Sequence, residues 1–355
     1  MPRREVATAA FFVNPEPEKS RMPLTLSLDQ VETAAQQTMS ASGANKIQAS
    51  AVARSIRDAE AEGIRGIGLG YVPYYCQHLK VGKINGDAAP IVTQPLPALI
   101  RVDAADGFAH PAFEAGEQAL INATQQNGIA LMGISNAYAC GVLGYFTGRL
   151  ARAGLMSIMT ANASSTMAPW GGKTPFFGTN PWSFAAPRVG EPLIIDSSSS
   201  ATAFVNLANA ASANEPIPST WALDANGQPT TDANEAMAGS IAPAGGHKGA
   251  ALALMVEVLA AGLTGANWSY RASSLGDDVG GPPRLGQTLI AIRPDGLGQT
   301  GHAERLEQML ADMTQEPNTR VPGDKRHSAR ARADAHGVEV DDALAGQLRS
   351  LGALV

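Results

Sequence analysis

The chain has 355 residues, of which 45% are hydrophobic and 16% charged, and its net charge is −6. This composition is typical of a well-packed globular protein, and the length suggests two or three domains. The acidic balance gives no support for binding to nucleic acid or to a membrane surface, and no apolar run reaches the roughly 20 residues that span a bilayer. Two cysteines, Cys76 and Cys140, are too few for a disulfide framework, so we expect a cytoplasmic protein.

The N-terminal part of the chain is predicted to be an extension followed by helices. Residues 1–21 are polar and proline-containing apart from a five-residue apolar run, which is too short for a secretory core, and they indicate a disordered extension. Apolar residues then recur at helical spacing from Leu24, and a second helix is predicted over residues 46–62, ending at Gly63. A third helix is predicted over residues 72–81.

The middle of the chain alternates strands and helices. Strands are predicted over residues 98–102, 129–134 and 155–160, and helices over 110–127 and 145–153. Several connections are short, which favours a mixed or largely antiparallel sheet over a doubly wound one.

Residues 162–196 contain two loops rich in glycine and proline, followed by a compact apolar strand over residues 192–195. This strand leads into Asp196 and a run of serines at residues 197–200. Glycine lets a backbone approach a ligand closely, and an acid with hydroxyl groups at a strand end is typical of a binding site. An ordinary buried sheet with tight turns is the alternative interpretation.

The remaining elements are helical for the most part. Helices are predicted over residues 202–213, 250–263 and 302–313 and at the C-terminus, with an irregular excursion over 217–231 and a strand over 287–292. Two glycine motifs, at 66–70 and 296–301, resemble dinucleotide-binding loops. A helix precedes the first motif, and no strand closed by an acid follows the second, so neither fits a βαβ unit well.

Four stretches together resemble the type 2 malate/L-lactate dehydrogenase family of NAD(P)-dependent oxidoreductases. They are residues 168–173 (APWGGK), 177–181 (FGTNP), 245–249 (GGHKG) followed by 253–259 (ALMVEVL), and 321–324 (VPGD). Residues 200–206, 263–268 and 136–141 are most similar to the branch of (R)-3-sulfolactate dehydrogenases. Residues 101–103 and 107–108 also resemble the Δ1-piperideine/Δ1-pyrroline-2-carboxylate reductases of the same family.

The resemblance implies an α/β protein with a non-Rossmann NAD(P)-binding fold and a mainly antiparallel sheet. Residues 22–95 and 315–355 would form a helical domain built from both chain ends, and residues 96–314 the cofactor-binding and substrate domain. It also implies a homodimer that binds a small carboxylate substrate. The implied cofactor contacts are Ile194, Ile195, Asp196, Ser197, Ser198, His247, Lys248, Gly323, Asp324 and Lys325.

Physical reasoning supports part of this set. The glycine loop before Ala250 opens a helix, so its free N–H groups and Lys248 can hold a phosphate. Lys325 and Arg326 could pair with a 2′-phosphate, which favours NADPH over NADH. A solvated basic surface is the alternative interpretation of Lys325 and Arg326.

The chain departs from the family pattern where the chemistry is expected. The family has a Ser-His pair and, four residues past the histidine, an arginine that binds the substrate carboxylate; here these positions hold Gly66, Ile67 and Tyr71. A second family histidine is replaced by Ala139, and a lysine by Asn206. Asp196 resembles the carboxylate that orients the family histidine, and it is left without that partner.

Reduction of a keto acid needs a proton donor near the oxygen, and isoleucine cannot supply one. We expect Tyr71 to take this role because it occupies a substrate-facing position in the family, with core packing as the alternative interpretation. Tyr138 can also donate, and His247 or Lys248 can act through a water. Lys173 and Lys248 are the expected partners of the substrate carboxylate. The histidines at 110, 302, 327 and 336 lack ligands at metal-binding spacing, so no metal is expected.

The sequence therefore predicts an NAD(P)-dependent oxidoreductase that interconverts a small 2-oxo acid and its 2-hydroxy acid, of the malate, lactate or sulfolactate type. The alternative within enzymes is a cyclic ketimine reductase, because a protonated imine needs only hydride. A dinucleotide-binding protein without catalytic activity is the alternative outside enzymes.

Overall fold

The computed structural model describes residues 24–353, so the extension predicted for residues 1–21 lies outside the described residues. The strands are β1 (Leu24–Leu26), β2 (Ile91–Leu96), β3 (Leu99–Asp103), β4 (Ile129–Ala137), β5 (Met156–Ala161), β6 (Trp182–Ala186), β7 (Leu193–Ser197), β8 (Ala222–Leu223), β9 (Ser240–Ile241), β10 (Leu285–Ile292) and β11 (Val338–Val340). The helices are α1 (Leu28–Ala41), α2 (Lys46–Ala61), α3 (Val72–Lys80), α4 (Ala109–Asn127), α5 (Leu143–Arg152), α6 (Phe204–Ala213), α7 (Ala233–Ala238), α8 (His247–Glu257), α9 (His302–Met313), α10 (Asp324–His336) and α11 (Asp342–Ser350).

Local sequence signals set several helix ends. Ser27 and Gln30 form a capping box at the start of α1, in which the Gln30 N–H donates to Ser27 Oγ at 3.2 Å and the Ser27 N–H to Gln30 Oε1 at 2.8 Å. Asn45 caps α2 by accepting the Gln48 N–H at 3.0 Å. Gly128 ends α4 with a φ of 80°, a left-handed conformation that glycine adopts without strain. The helices α2 and α4 lie within two residues of their predicted bounds.

A mixed sheet of seven strands forms the centre, in the order β2-β3-β4-β10-β5-β6-β7. Within this sheet β3 and β4 run parallel, and the other five neighbouring pairs are antiparallel. A parallel pair needs a long crossover, and α4 supplies it between β3 and β4. The α/β fold class predicted from the sequence is confirmed. The edge strand β2 escaped prediction because all six of its residues are exposed and give no alternating pattern.

Helices cover both faces of the sheet. On one face α4 and α5 pack on a core that includes Ile134, Phe146 and Leu289. On the other face lie α8 and the π turn that continues it, Val258–Gly262, and Thr288 Oγ1 donates to Leu259 O at 2.7 Å. The helix predicted over residues 250–263 therefore begins three residues earlier and ends as a wider π turn.

A second core draws residues from both ends of the described chain. Leu26 and Val31 from one end pack with Val340 and Leu348 from the other, and with Ile56 of α2. The single terminal helix expected from the sequence is wrong, because α10 and α11 are separated by β11, which pairs with β1. A three-residue strand is too short to produce a recognisable period in the sequence.

No helix in residues 24–353 is long and apolar enough to cross a membrane.

Candidate active site

The serine run after β7 and the loop that opens α8 are joined by backbone hydrogen bonds. The Ala244 N–H donates to Ser199 O at 2.9 Å, and the Ala201 N–H donates to Ala242 O at 2.8 Å. Ser199 is itself buried, and its hydroxyl donates to Asn180 O at 2.7 Å. Residues 194–198 and 245–249, which flank these bonded segments, therefore lie near each other where β7 ends.

Glycines shape the first turn of α8. Gly245 and Gly246 have φ values of 63° and 70°, in the left-handed region that favours glycine. A Cβ on Gly249 would lie 2.2 Å from Ala244 O, so this turn excludes a side chain there. Gly246 offers no side-chain cap, which leaves the first N–H groups of α8 available to an anion. His247 and Lys248 are exposed at this end of the helix.

An exposed aromatic side chain stands beside the same turn. The ring of Trp170, which is 65% exposed, lies 6.1 Å from the ring of His247 in an edge-on arrangement. Trp170 belongs to the first of the two glycine- and proline-rich loops, so that loop also borders the start of α8.

Gly323 packs directly on the backbone of β7. Its φ is 93°, and a Cβ there would lie 2.9 Å from Ile194 O. Asp324 Oδ1 accepts a bond from Arg188 Nη2 at 2.9 Å, and Lys325 is exposed and forms no hydrogen bond or ion pair with residues 24–353. The Ile194 side chain is buried against α5, whereas Ser197 is exposed. Ser198 donates its hydroxyl to Ser200 O at 3.0 Å.

Asp196 has partners that the sequence interpretation did not anticipate. Its Oδ2 atom accepts the N–H of Gly144, in the first turn of α5, at 2.9 Å, and lies 3.3 Å from Arg326 Nη1. In place of the family histidine, a helix N-terminus and a guanidinium therefore contact this carboxylate. Arg326 is correspondingly engaged, which weakens its assignment to a 2′-phosphate.

Arg326 also begins a line of ion pairs that reaches the helical core. Its Nη1 atom lies 3.7 Å from Glu62 Oε2, and Arg330 then bonds Glu62 at 3.1 Å and Asp58 at 3.2 Å. These pairs fix α10 between the end of β7 and α2.

The loop before α3 holds the positions where the family carries its Ser-His pair. It forms two 3-10 turns, Arg65–Ile67 and Leu69–Tyr71, rather than a dinucleotide loop. Ile67 Cγ2 would lie 3.2 Å from a Cβ on Gly141, so this loop packs against residues 139–141. Ile67 and Ala139, which replace the two family histidines, thus belong to loops in direct contact.

Glu60 lies beneath this loop and shapes it. The Leu69 N–H donates to Glu60 Oε1 at 2.7 Å, and a Cβ on Gly68 would lie 2.2 Å from the same oxygen. Glu60 is buried, and burial raises its pKa above the usual range of a glutamate. This contact could not be predicted from the sequence, because Glu60 occupies an ordinary position of an amphipathic helix.

Tyr71 lies at the start of α3 in a group of aromatic rings. It stacks on Tyr74 with ring centres 5.2 Å apart and meets Tyr75 edge-on at 5.0 Å. Burial, together with the neighbouring Tyr74, raises the pKa of Tyr71 to about 12. At neutral pH the Tyr71 hydroxyl therefore keeps its proton and can donate it.

Tyr138, the second proposed donor, is buried and already bonded. Its hydroxyl lies 2.5 Å from His78 Nδ1, and His78 Nε2 lies 3.1 Å from Asp277 O. His78 is itself buried.

The remaining predicted residues lie elsewhere. Lys173 is exposed and lies beside the turn at Gly227. A Cβ atom added to Gly227 would be 2.9 Å from the Cβ atom of Lys173. His110 is buried between α4 and α5, neither ring nitrogen has a hydrogen-bond partner among residues 24–353, and burial lowers its pKa to about 4. Within that part of the chain no cluster of three or more histidine, cysteine or acidic residues could hold a metal ion.

Comparison with known proteins assigns the chain to a family. Residues 26–349 match the family model described as malate/L-lactate dehydrogenase, and the chain belongs to this family. It is 40% identical over 330 residues to a (2R)-3-sulfolactate dehydrogenase (NADP(+)) of Chromohalobacter salexigens, covering 93% of this chain and 98% of the relative. It is 37% identical over 334 residues to a Δ1-pyrroline-2-carboxylate reductase of Ancylobacter novellus, covering 93% and 98%.

A solved structure agrees with this assignment. The crystal structure of Δ1-piperideine-2-carboxylate reductase from Pseudomonas syringae superposes with a TM-score of 0.88 at 33% identity, over 92% of this chain and 99% of that one. The family resemblance seen in the sequence is confirmed, and the chain is an NAD(P)-dependent oxidoreductase.

Proposed function

We propose that the enzyme interconverts a small 2-oxo acid and its 2-hydroxy acid with a nicotinamide dinucleotide bound between β7 and α8. The adjacency of the serine run and the first turn of α8, through the Ala244 N–H to Ser199 O bond of 2.9 Å, is the observation that carries this proposal. It combines a strand end with a free helix N-terminus, which suits a pyrophosphate.

The described residues fit such a cofactor. Gly249 lets the first turn of α8 pack closely on Ala244, Gly323 packs on the backbone of β7, and Lys248 and Lys325 are exposed cations that can pair with phosphate. Backbone at Ile194, Ile195, Ser197 and Ser198 and the side chains of His247 and Asp324 complete the proposed contacts. Lys325 supports a preference for NADPH, because an exposed ammonium can pair with a 2′-phosphate.

The bound nicotinamide would supply or accept the hydride, and Tyr71 would hold the proton. With a pKa of about 12, the Tyr71 hydroxyl is protonated at neutral pH and can donate a hydrogen bond to the carbonyl oxygen. Asp196 acts as a positioning carboxylate in this proposal, since it binds Gly144 and Arg326. Lys248 is the proposed partner of the substrate carboxylate, with Lys173 as the alternative.

Reduction of a cyclic ketimine such as Δ1-pyrroline-2-carboxylate is the second proposed function. The contact of Ile67 with Gly141 favours it, because an apolar group stands where the family has a proton carrier. A protonated imine carries its own proton and needs only hydride.

We also propose that two copies associate through the outer face of α8 and its π turn. Leu254, Met255, Val258 and Leu263 are 53%, 50%, 51% and 57% exposed along this face. Contiguous exposed apolar side chains of this kind are typical of a protein interface.

The domain division at residues 95 and 315 and the cytoplasmic location complete the proposal. The domain division is supported by the core that both ends of the described chain share. The cytoplasmic location is supported by Cys76 and Cys140, which are buried and form no disulfide.

The test mixes purified protein and NADPH with a 2-oxo acid, with a cyclic ketimine or with neither, and follows absorbance at about 340 nm together with cofactor binding. The proposal expects turnover of the oxo acid and a fall of tenfold or more in kcat for Tyr71→Phe. Tyr145→Phe is the matched control, since Tyr145 is also buried and its hydroxyl accepts a bond from Arg149 at 2.8 Å. Turnover of the imine alone selects the second function, and binding without turnover of either substrate overturns both.

A further inference from the structure

A buried asparagine joins helix α8 to the serine run. The side-chain Nδ2 of Asn180 donates to Ala253 O at 2.9 Å and to Glu257 Oε2 at 2.8 Å, and both acceptors belong to α8. The main-chain oxygen of Asn180 accepts the hydroxyl of Ser199 at 2.7 Å. Asn180 and Ser199 are both 0% exposed, so water does not compete for these bonds. One residue therefore binds the serine run and α8 at the same time.

The turn at Asn180 is shaped for this double contact. Asn180 has a φ of 41°, in the left-handed region that asparagine tolerates better than most residues with a side chain. The residue before it, Thr179, accepts the Ser199 N–H through its main-chain oxygen at 2.9 Å. Two consecutive residues thus hold Ser199 by its N–H and by its hydroxyl.

Glu257 is a buried carboxylate whose donors are all neutral groups. Besides the Asn180 amide, the Ser269 N–H donates to Oε1 at 2.6 Å and the Ser269 hydroxyl donates to Oε2 at 2.6 Å. Glu257 is 3% exposed. Burial of a carboxylate costs free energy that an apolar side chain of similar size would avoid. A glutamate at this position is therefore explained by the groups that it binds rather than by packing.

Ser199 is held to α8 at two separate points. The Ala244 N–H donates to Ser199 O at 2.9 Å just before the helix begins, and Ala253 and Glu257 hold Ser199 through Asn180 further along the helix. A helix attached at one point can pivot about it, whereas two attachments fix its direction. The free N–H groups of the first turn therefore have a set direction relative to the end of β7.

We propose that Glu257 is a positioning residue for the cofactor. Through Asn180 it sets the angle at which the first turn of α8 meets the serine run, and thereby the affinity for the pyrophosphate. Glu257 ends α8 and His247 begins it, a separation of about 15 Å along the axis, so Glu257 acts through the helix and does not touch the cofactor. The proposal rests on the proposed binding of a nicotinamide dinucleotide between β7 and α8.

The positioning role and a purely structural role have different consequences. NADPH and NADH share the pyrophosphate, so a change in the direction of α8 weakens the binding of both to the same extent. A purely structural role lowers the amount of folded protein and leaves the affinity of the folded protein unchanged.

The experiment uses the full chain and compares Glu257→Gln with Glu60→Gln. In Glu257→Gln an NH2 group replaces one oxygen and leaves a buried donor without its acceptor. Titration calorimetry should show binding of NADPH and of NADH that is weaker by about fivefold or more. With the 2-oxo acid, the loss should appear in KM for the cofactor and not in kcat. Glu60→Gln is the matched control, since Glu60 is 4% exposed and bonds Leu69 instead, and it should change neither dissociation constant by more than about twofold.

Asn180→Gly tests the same contact from its other side. Glycine adopts a φ of 41° without strain and keeps the main-chain oxygen that binds Ser199, so this variant removes only the amide. It should also weaken both dinucleotides equally. The double variant with Glu257→Gln should lose less affinity than the product of the two single losses, because the two side chains act through one hydrogen bond.

Unchanged dissociation constants in either folded variant, with binding of NADPH by the wild type intact, would remove the positioning role and leave the proposed cofactor site standing. Equal weakening in Glu60→Gln would attribute the effect to a general loss of stability and would also overturn it, as would weakening of NADPH alone. If Glu257→Gln fails to fold, Asn180→Gly carries the same comparison. Wild-type protein that binds neither NADPH nor NADH removes the cofactor site and the positioning role together.

Discussion

The guanidinium of Arg326 lies 3.3 Å from Asp196 Oδ2, the oxygen that also accepts the N–H of Gly144. This contact joins the start of α10 to the end of β7. Because Gly323 and Lys325 are next to Arg326 in the chain, the pair sets the position of one side of the proposed cofactor site.

Asp196→Asn and Arg326→Gln should each lower the free energy of unfolding by about 1–3 kcal/mol, since each removes one member of a mostly buried ion pair. The double variant should lose less stability than the sum of the two single losses, because the second substitution removes the charge whose ion-pair partner was lost in the first. Denaturant unfolding of the four proteins measures this coupling. Glu191→Gln is the control, since the Arg152–Glu191 pair is 40% and 51% exposed and should change stability by less than about 0.5 kcal/mol. Strictly additive losses would show that Asp196 and Arg326 act independently.

Gly68→Ala should destabilise the protein by about 2–3 kcal/mol, because its Cβ would lie 2.2 Å from Glu60 Oε1 and break the Leu69 N–H bond to that oxygen. Thermal and denaturant unfolding measure the loss. Gly346→Ala provides the matched control, since Gly346 lies in α11 with nothing within 4 Å of an added Cβ. It should be neutral or stabilising by up to about 1 kcal/mol, as expected for alanine in a helix. Equal effects of the two substitutions would contradict the role given to Glu60.

The sequence predicted those parts of the fold that rest on local signals. Capping at Asn45 and the left-handed Gly128 are encoded within a few residues, and the helices that they bound, α2 and α4, were predicted closely. The family resemblance likewise implied cofactor contacts in residues 194–198 and at His247 and Lys248, and the segments next to them are joined by the bond from the Ala244 N–H to Ser199 O. The Asp196–Arg326 pair could not be predicted in this way, because 130 positions separate its members and either residue alone is typical of a solvated surface.

His110 should make the protein less stable as the pH falls. Its pKa is about 4 in the folded protein, whereas an unfolded histidine has a pKa of about 6.5, so the unfolded state binds more protons between these values. The contribution of His110 should therefore lower the free energy of unfolding by about 2 kcal/mol between pH 7.5 and pH 5. The lowered pKa of His78 acts in the same direction.

His110→Leu should remove this contribution of about 2 kcal/mol from the pH dependence of the free energy of unfolding. Denaturant unfolding at pH 7.5 and pH 5 measures the change. The raised pKa of Glu60 has the opposite sign, but Glu60 is present in both proteins and cancels in the comparison. His336→Asn is the control at an exposed histidine and should keep the wild-type slope. An unchanged slope in His110→Leu would show that His110 is not the group responsible.

Lys325→Ala should weaken NADPH binding about tenfold, the size expected for loss of one charged contact with a phosphate, and should change NADH binding less than twofold. Titration calorimetry at low and high salt measures both constants, and the NADPH effect should shrink as salt rises. Lys46→Ala removes an exposed cation at the start of α2 and serves as control. An equal loss of affinity for NADPH and NADH would place Lys325 against a part of the cofactor that both molecules share, rather than against the 2′-phosphate.

Leu254→Glu should convert the proposed dimer to a monomer, because it places a charge in the exposed apolar face of α8, where Leu254 is 53% exposed. Sedimentation velocity over a range of concentrations measures the change. Leu297→Glu is the matched control, since Leu297 is 94% exposed in the loop between β10 and α9, outside that face. The first turn of α8 also carries His247 and Lys248. The monomer should therefore bind the cofactor more weakly, because it loses the contact that stabilises this helix in the dimer. A wild-type protein that sediments as a monomer at all concentrations would rule out this interface.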